Sequence, residues 1–175
     1  MQQSRTLSPL EPSAPTGLRE WAARLNGCGP GLSLPICEPW PATRRGTPVS
    51  WFGAIDPSLA HRLQAFADAC EMTRFELMFG AFGLLLARHS ARDDFVLGAA
   101  PESDDARCAV LPIRLTGESD TPIRQWLADA RDALRWGQAR ADLRLASLPD
   151  VAGADARVDV PALVSIQFHK QPAGA

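Results

Sequence analysis

The stretch FELMFGAFGLLLARHSARDDFVLGAAPE, Phe75 to Glu102, decides the fold. It is almost wholly apolar from Phe75 to Leu86, polar around Arg88 to Asp94, and free of charge from Phe95 to Ala100. Just upstream, Thr73 with Glu76 three residues on makes a capping box, which starts a helix over 74–89. Phe75, Leu77, Met78, Phe79, Phe82, Leu84, Leu85 and Leu86 surround that helix on nearly all sides. A helix apolar all round belongs in a core, where each such side chain contributes about 1.5–3 kcal/mol by burial. Arg92-Asp93-Asp94 then turns the chain, and 95–100 reads as a strand inside a sheet covered on both faces. His89 at the seam has two readings. It is a cation placed to favour the helix dipole, or simply solvated; the rival reading puts it at the mouth of an active site.

Working back from this unit, Asp56-Pro57 is an N-cap followed by an N1 proline and opens a helix over 57–71. Leu59, Leu63, Phe66, Ala67 and Cys70 form one stripe on it, which leaves His61 and Arg62 toward solvent. Val49 to Ile55 alternates as a strand. The segment 28–48 carries Pro30, Pro35, Pro39, Pro41 and Pro48, and reads as an extended crossing rather than a flexible linker. Thr16 caps a short helix over 17–25, with Leu18, Trp21, Ala22 and Leu25 on one face and Asn26-Gly27 as its stop. Residues 1–15 are expected to be disordered.

Working forward, 102–107 is a polar loop and 108–115 a strand. Pro112 marks it as an edge or bulged strand, since proline donates nothing to a ladder. Asp120 or Thr121 caps a helix over 122–138 with Pro122 at N1, and its stripe is Ile123, Trp126, Leu127, Ala130 and Leu134. The pattern then becomes irregular until a last strand over 162–168, and 171–175 is a loose end. No internal repeat is visible. The class is α/β, an α+β sandwich in which three main helices pack on a mixed sheet.

Composition removes several functions. The 175 residues hold 46% hydrophobic and 22% charged side chains, as in a globular domain with a real core. A net charge of −2 provides no basic face for nucleic acid. The longest nearly uncharged run, Leu77 to Ala87, is too short to span a bilayer, which takes about 20 residues. The N-terminus lacks an apolar signal core, so a cytoplasmic protein is expected. Cys28, Cys37, Cys70 and Cys108 make no C-x-x-C pair, and His61, His89 and His169 are scattered, which argues against a zinc site and for reduced thiols. There is no G-x-S-x-G elbow, and GCGPG at Gly27 to Gly31 is a proline-interrupted turn after a helix, not a phosphate cradle.

The order of segments resembles the C-terminal lobe of a nonribosomal peptide synthetase condensation domain, of the chloramphenicol-acetyltransferase-like superfamily. LREWAARLNG (Leu18–Gly27) is similar to the tryptophan-bearing helix of that family. LPICEPWPATRRG (Leu34–Gly46) resembles its "LP.D.PRP" crossover. TRFELMFGAFGLLLARHSARDDFVLGAAPES resembles its helix–strand unit "LLAAF..LL.R.SG..D…G.P". CAVLPIRL (Cys108–Leu115) resembles "VNTLPLR", and PALVSIQF (Pro161–Phe168) approximates "PLFQV.F". ARADLRLASL matches "H.DLPFE.L" only at Asp142 and Leu143. The resemblance runs from Leu18 to Phe168.

The resemblance implies a function and also a gap in it. In the family a His-His-x-x-x-Asp-Gly motif on the N-terminal lobe orients or deprotonates the acceptor amine. That amine attacks a thioester on a phosphopantetheinyl carrier protein. None of the three histidines here sits in such a motif. The family's asparagine in "VNTLPLR" is Ala109; its "H.DLPFE" histidine, proline and glutamate are Arg140, Arg144 and Ala146. The leading expectation is a degenerate condensation-domain remnant with no catalytic residue and no bound metal or cofactor of its own. It would act as a scaffold or docking element for synthetase modules or a carrier protein, meeting phosphopantetheine only on that partner. The alternative is an amide- or ester-forming half that pairs with a lobe supplying the histidine motif, with Gly98, Pro101 and Arg114 lining the cleft. If the rest of the family fold is absent, the sheet surface around Phe95–Ala100 or Ala162–Phe168 should be undercovered and the chain should self-associate.

Overall fold

A computed structural model of the chain describes residues 16–28, 32, 54–99, 110–118, 120–141 and 167–168. Its elements in chain order are α1 (Thr16–Leu25), α2 (Pro57–Ala69), α3 (Arg74–Ser90), β1 (Asp94–Ala99), β2 (Leu111–Thr116), α4 (Ile123–Gln138) and β3 (Gln167–Phe168). The sheet runs β2-β1-β3, with β1 antiparallel to β2 and parallel to β3, so it is mixed as the sequence pattern implies.

The capping box forms: Glu76 N–H donates to Thr73 Oγ1 (3.2 Å) and Thr73 N–H to Glu76 Oε2 (2.7 Å). Two orphan donors of the first turn are thereby satisfied. At the other end Ala91 caps α3 in the left-handed region, φ 51° and ψ 39°. β1 follows at once, and its ladder begins one residue earlier than the charge pattern suggests, at Asp94 opposite Thr116. Gly117 N–H reaching Asp93 C=O (2.9 Å) extends it further.

Leu115 and Ile113 of β2 share a sheet face with their partners Phe95 and Leu97 of β1. That face receives α3 and α4 at glycines: Gly83 meets Leu115 and Gly137 meets Ile113. Gly80 takes Leu127 and Ala130, so α3 and α4 lie in close contact. The core comprises Trp21, Phe79, Leu97, Leu111, Ile113 and Leu134 among its most enclosed members.

Several expectations need correcting. β1 is not undercovered: Phe95, Val96, Leu97 and Ala99 are all buried, because α3 and α4 cover one face and the opposite face is closed as well. Ala162 to Ile166 lie outside the described residues, and β3 is seen only at Gln167–Phe168. Exposed apolar side chains sit instead on the helices and the approach to α2: Ile55, Leu59, Leu85 and Ile123. Thus α3 is not enclosed all round: Phe75, Leu77, Phe79 and Leu86 are buried and Met78, Phe82 and Leu84 partly so, but Leu85 is exposed. The stripe of α2 likewise buries Ala67 but leaves Leu59 exposed. Helix α2 ends at Ala69 rather than residue 71, because Glu71 turns into the left-handed region (φ 55°). Ala54 and Ile55 are exposed and belong to no strand, and 49–53 lie outside the described residues. Pro122 is the N-cap of α4, not its N1: its ψ of 139° is non-helical and no side chain caps the helix. Pro112 does sit on an outer strand of the described sheet, but its register with Gly98 is unbroken by a bulge.

Candidate functional site

The polar centre of the described chain is Arg114. It is the one charge in β2, on the face that also carries its neighbour in register, Val96, and the diagonal Asp94. Its Nε donates to Asp94 Oδ1 (2.8 Å) and its Nη2 to Asp94 Oδ2 (2.6 Å), a bidentate pair. Its Nη1 donates to the carbonyls of Arg24 (3.0 Å) and Asn26 (2.9 Å). Those carbonyls belong to the C-terminal end of α1, whose orphan acceptors a guanidinium suits. The bond to Asp94 raises Arg114 above its ordinary pKa against the opposing effect of burial. Cys28, one residue past Gly27 (φ 75°), lies close by. Burial pushes its thiol up, Arg114 pulling the other way and Asp94 adding to the rise.

A second cluster fastens the same helix to α4. Trp21 meets Trp136 edge-on, ring centroids 4.8 Å apart at 72°. The guanidinium groups of Arg24 and Arg140 both lie over the Trp136 ring, at 4.6 and 4.5 Å. Arg140 pairs with Glu20 (2.5 Å), and its carbonyl accepts from Trp21 Nε1 (3.4 Å). Arg24 makes no ion pair with a described residue. Its pKa falls below the ordinary guanidinium value, first through burial and then through repulsion by Arg140 and Arg114.

Between these clusters runs a half-open groove of about 440 Å³, with Ala130 and Ala133 of α4 on its floor and Arg24, Arg114, Asp129, Asp132 and Trp136 on its walls. A second hollow, of about 870 Å³, opens where the C-terminal end of α3 meets the start of α4, and Arg88, Asp93, Glu118, Asp120 and Thr121 line it.

Of the residues singled out in sequence, Arg114 lines the groove, whereas Gly98 is buried mid-strand between Pro112 and Gln167 and reaches neither hollow. Arg140 belongs to the Trp136 cluster. Pro101, Ala109, Asp142, Arg144 and Ala146 lie outside the described residues. His61 and His89 are exposed on α2 and α3, neither lines either of these two hollows, and His169 is not among the described residues. In sequence, Asp94 reads as part of a turn, and neither Trp136 nor Glu20 stands out. The available signal is the lone arginine in an otherwise uncharged strand, which demands a carboxylate one register step away. Among the described residues no three His, Cys, Asp or Glu side chains gather to hold a metal, and no helix is long and apolar enough to cross a membrane.

No protein-family model matches the chain. It is 26% identical over 166 residues to a linear gramicidin synthase of Brevibacillus parabrevis, a match spanning 88% of this chain and 3% of that protein. It is 28% identical over 157 residues to the phosphinothricin tripeptide synthetase PhsC of Streptomyces viridochromogenes, spanning 85% of this chain and 14% of that protein. Among solved structures, a four-domain nonribosomal peptide synthetase, holo-AB3403 bound to AMP and glycine, superimposes with a TM-score of 0.79 at 18% identity, over 96% of this chain and 13% of that one. The first condensation domain of the CDA synthetase does so with a TM-score of 0.60 at 16% identity, over 89% of this chain and 34% of that one. The chain is a relative of nonribosomal peptide synthetases, and its fold is the chloramphenicol-acetyltransferase-like fold of one part of a condensation domain.

Proposed function

We propose that the chain serves nonribosomal peptide synthesis, in the cytoplasm, as a condensation-type scaffold or docking element without a catalytic base of its own. One observation carries the reading. The two arginines that the resemblance singles out, Arg114 in the groove wall and Arg140 over Trp136, are consumed in ties that hold α1 to the body. General acid–base work needs a positioned group with a pKa near the working pH. Neither described histidine lines either of the two hollows.

The partner proposed is a carrier protein, and phosphopantetheine reaches the chain only as that partner's arm. The groove suits such an arm in one respect. Arg24, stacked on Trp136 in the groove wall, would be the cation that meets the arm's phosphate. The test is a calorimetric titration of the chain with a peptidyl carrier protein, with and without its phosphopantetheine. Binding of the modified form, weakened by Arg24→Ala, is expected; no heat up to millimolar carrier would end the docking reading.

The runner-up, an acyltransferase half completed by a partner lobe, draws on the 34% share of a condensation domain that the chain covers. It requires product from carrier-bound thioesters when a lobe bearing the His-His-x-x-x-Asp-Gly motif is added. The scaffold reading expects no amide or ester from that mixture.

A further inference from the structure

Helix α2 is joined to the rest of the described chain in an unusual way. Only Ala67 of it is fully buried, Leu63 and Phe66 are partly so, and Leu59 and the preceding Ile55 are exposed. Its own apolar grip is therefore slight. Its C-terminal end and the turn into α3 are instead held by arginines of α4. Arg124 lies over the Phe66 ring (5.3 Å) and its Nη1 meets Cys70 Sγ (3.5 Å). Arg131 Nη1 donates to the Cys70 carbonyl (3.3 Å). Arg135 Nη2 donates to the Glu71 carbonyl (3.0 Å) and to Glu76 Oε2 (3.0 Å), while its Nε donates to Glu76 Oε1 (2.5 Å). Positions 124, 131 and 135 are seven and four residues apart, so one face of α4 presents all three.

The residue under this ladder is Glu71, at φ 55°. A non-glycine side chain there crowds its own carbonyl and holds that conformation only when its surroundings enforce it. Arg135 does so from both sides of the turn, gripping the Glu71 carbonyl and the Glu76 carboxylate that closes the Thr73 capping box. A further tie from α2 to α3, Arg74 Nε to Gln64 Oε1 (3.1 Å), is exposed.

We propose that α2 is a hinged element that turns on Glu71 and is kept shut by the arginine ladder of α4. With the catch closed, α2 lies along α3. With it open, the chain relaxes at Glu71, and α2 swings as a unit while α3, α4 and the sheet stay packed through Gly80, Gly83 and Gly137, none of which involves α2.

Amide hydrogen exchange of the full 175-residue chain, read peptide by peptide, tests this. Arg135→Gln should speed exchange in α2 and the Cys70–Met72 turn by about tenfold or more while leaving β1 and β2 unchanged, the signature of subglobal opening. Glu71→Gly, which removes the strain of the closed turn, should slow the same peptides a few-fold, and should offset part of the effect of Arg135→Gln when the two are combined. Should Arg135→Gln fail to fold, Arg135→Lys keeps the charge while losing the forked grip, and is expected to give a smaller acceleration confined to the same peptides. Acceleration shared equally by β1 and α4, or no change confined to α2 in any of these variants, overturns the proposal.

Discussion

Glu76 is 5% exposed, yet it carries a charge. Burial alone would raise its pKa; the hydrogen bond from Arg135, those from Thr73 and the Arg135 charge outweigh it and hold the carboxyl below the ordinary range. The sign follows directly: a folded value below the unfolded one, about 4.3, gives stability that is present above that pH and lost as pH falls through the folded value. Glu76→Gln should therefore cost about 1–3 kcal/mol near neutral pH, since Arg135 is half-exposed and screened. In urea titrations the gap to the parent chain should narrow below about pH 4.3; a gap that stays constant to about pH 3 would contradict the assignment. Ala91 makes the opposite case. It caps α3 at φ 51°, so Ala91→Gly should stabilise by about 1 kcal/mol, seen as a higher midpoint in the same titration. At this scale the sequence was informative where partners are local. Thr73 and Glu76 are three residues apart and announce their own bond. Arg135 is distant along the chain, and only tertiary packing brings it to Glu76.

The identities of the described helices and of β1 and β2 were legible because apolar periodicity and caps are local too. What periodicity could not say was which side of each helix finds a neighbour. Leu85 and Ile123 lie in apolar patterns and are nevertheless about half exposed. Trp126 and Leu127, on the same helix as Ile123, are buried against α3. The glycines of that contact carry a sharper expectation. A Cβ added at Gly83 would stand 2.5 Å from Leu115 Cδ1 and 3.6 Å from Trp126 Cζ2, both buried side chains. Gly83→Ala should cost about 1–3 kcal/mol through overpacking between α3 and β2. Gly27→Ala offers a control of different origin: its Cβ would meet nothing within 4 Å, and only its φ of 75° opposes the change. That variant should lose about 1 kcal/mol, and a larger loss than at Gly83 would refute the packing account.

For the whole molecule, fold class and the mixed sheet could be read from segment order, and the resemblance pointed to the same relatives that sequence and fold comparison find. The candidate site was only partly legible. Arg114 stood out as a charge in an apolar strand, but its use as a clamp on α1 depends on where that helix ends in space. The expectation of an undercovered β1 failed for a related reason, since coverage is a property of the assembled layers.

The parallel pairing of β1 with β3 has a further consequence. Gly98 and Ala99 take as partners Gln167 and Phe168, which lie far along the chain beyond β2 and α4. Joining them closes a long loop, and closure entropy rises with the logarithm of loop length, by about 0.6 kcal/mol per doubling. The local β1–β2 and α3–α4 contacts face no such delay. During synthesis β1 and β2 leave the ribosome before Gln167 and Phe168, so the edge of β1 that β3 covers at Gly98 and Ala99 should stay open in the interval. A chain stopped at residue 160 should remain in that state and associate through the open edge, visible as sedimentation more strongly concentration-dependent than that of the 175-residue chain.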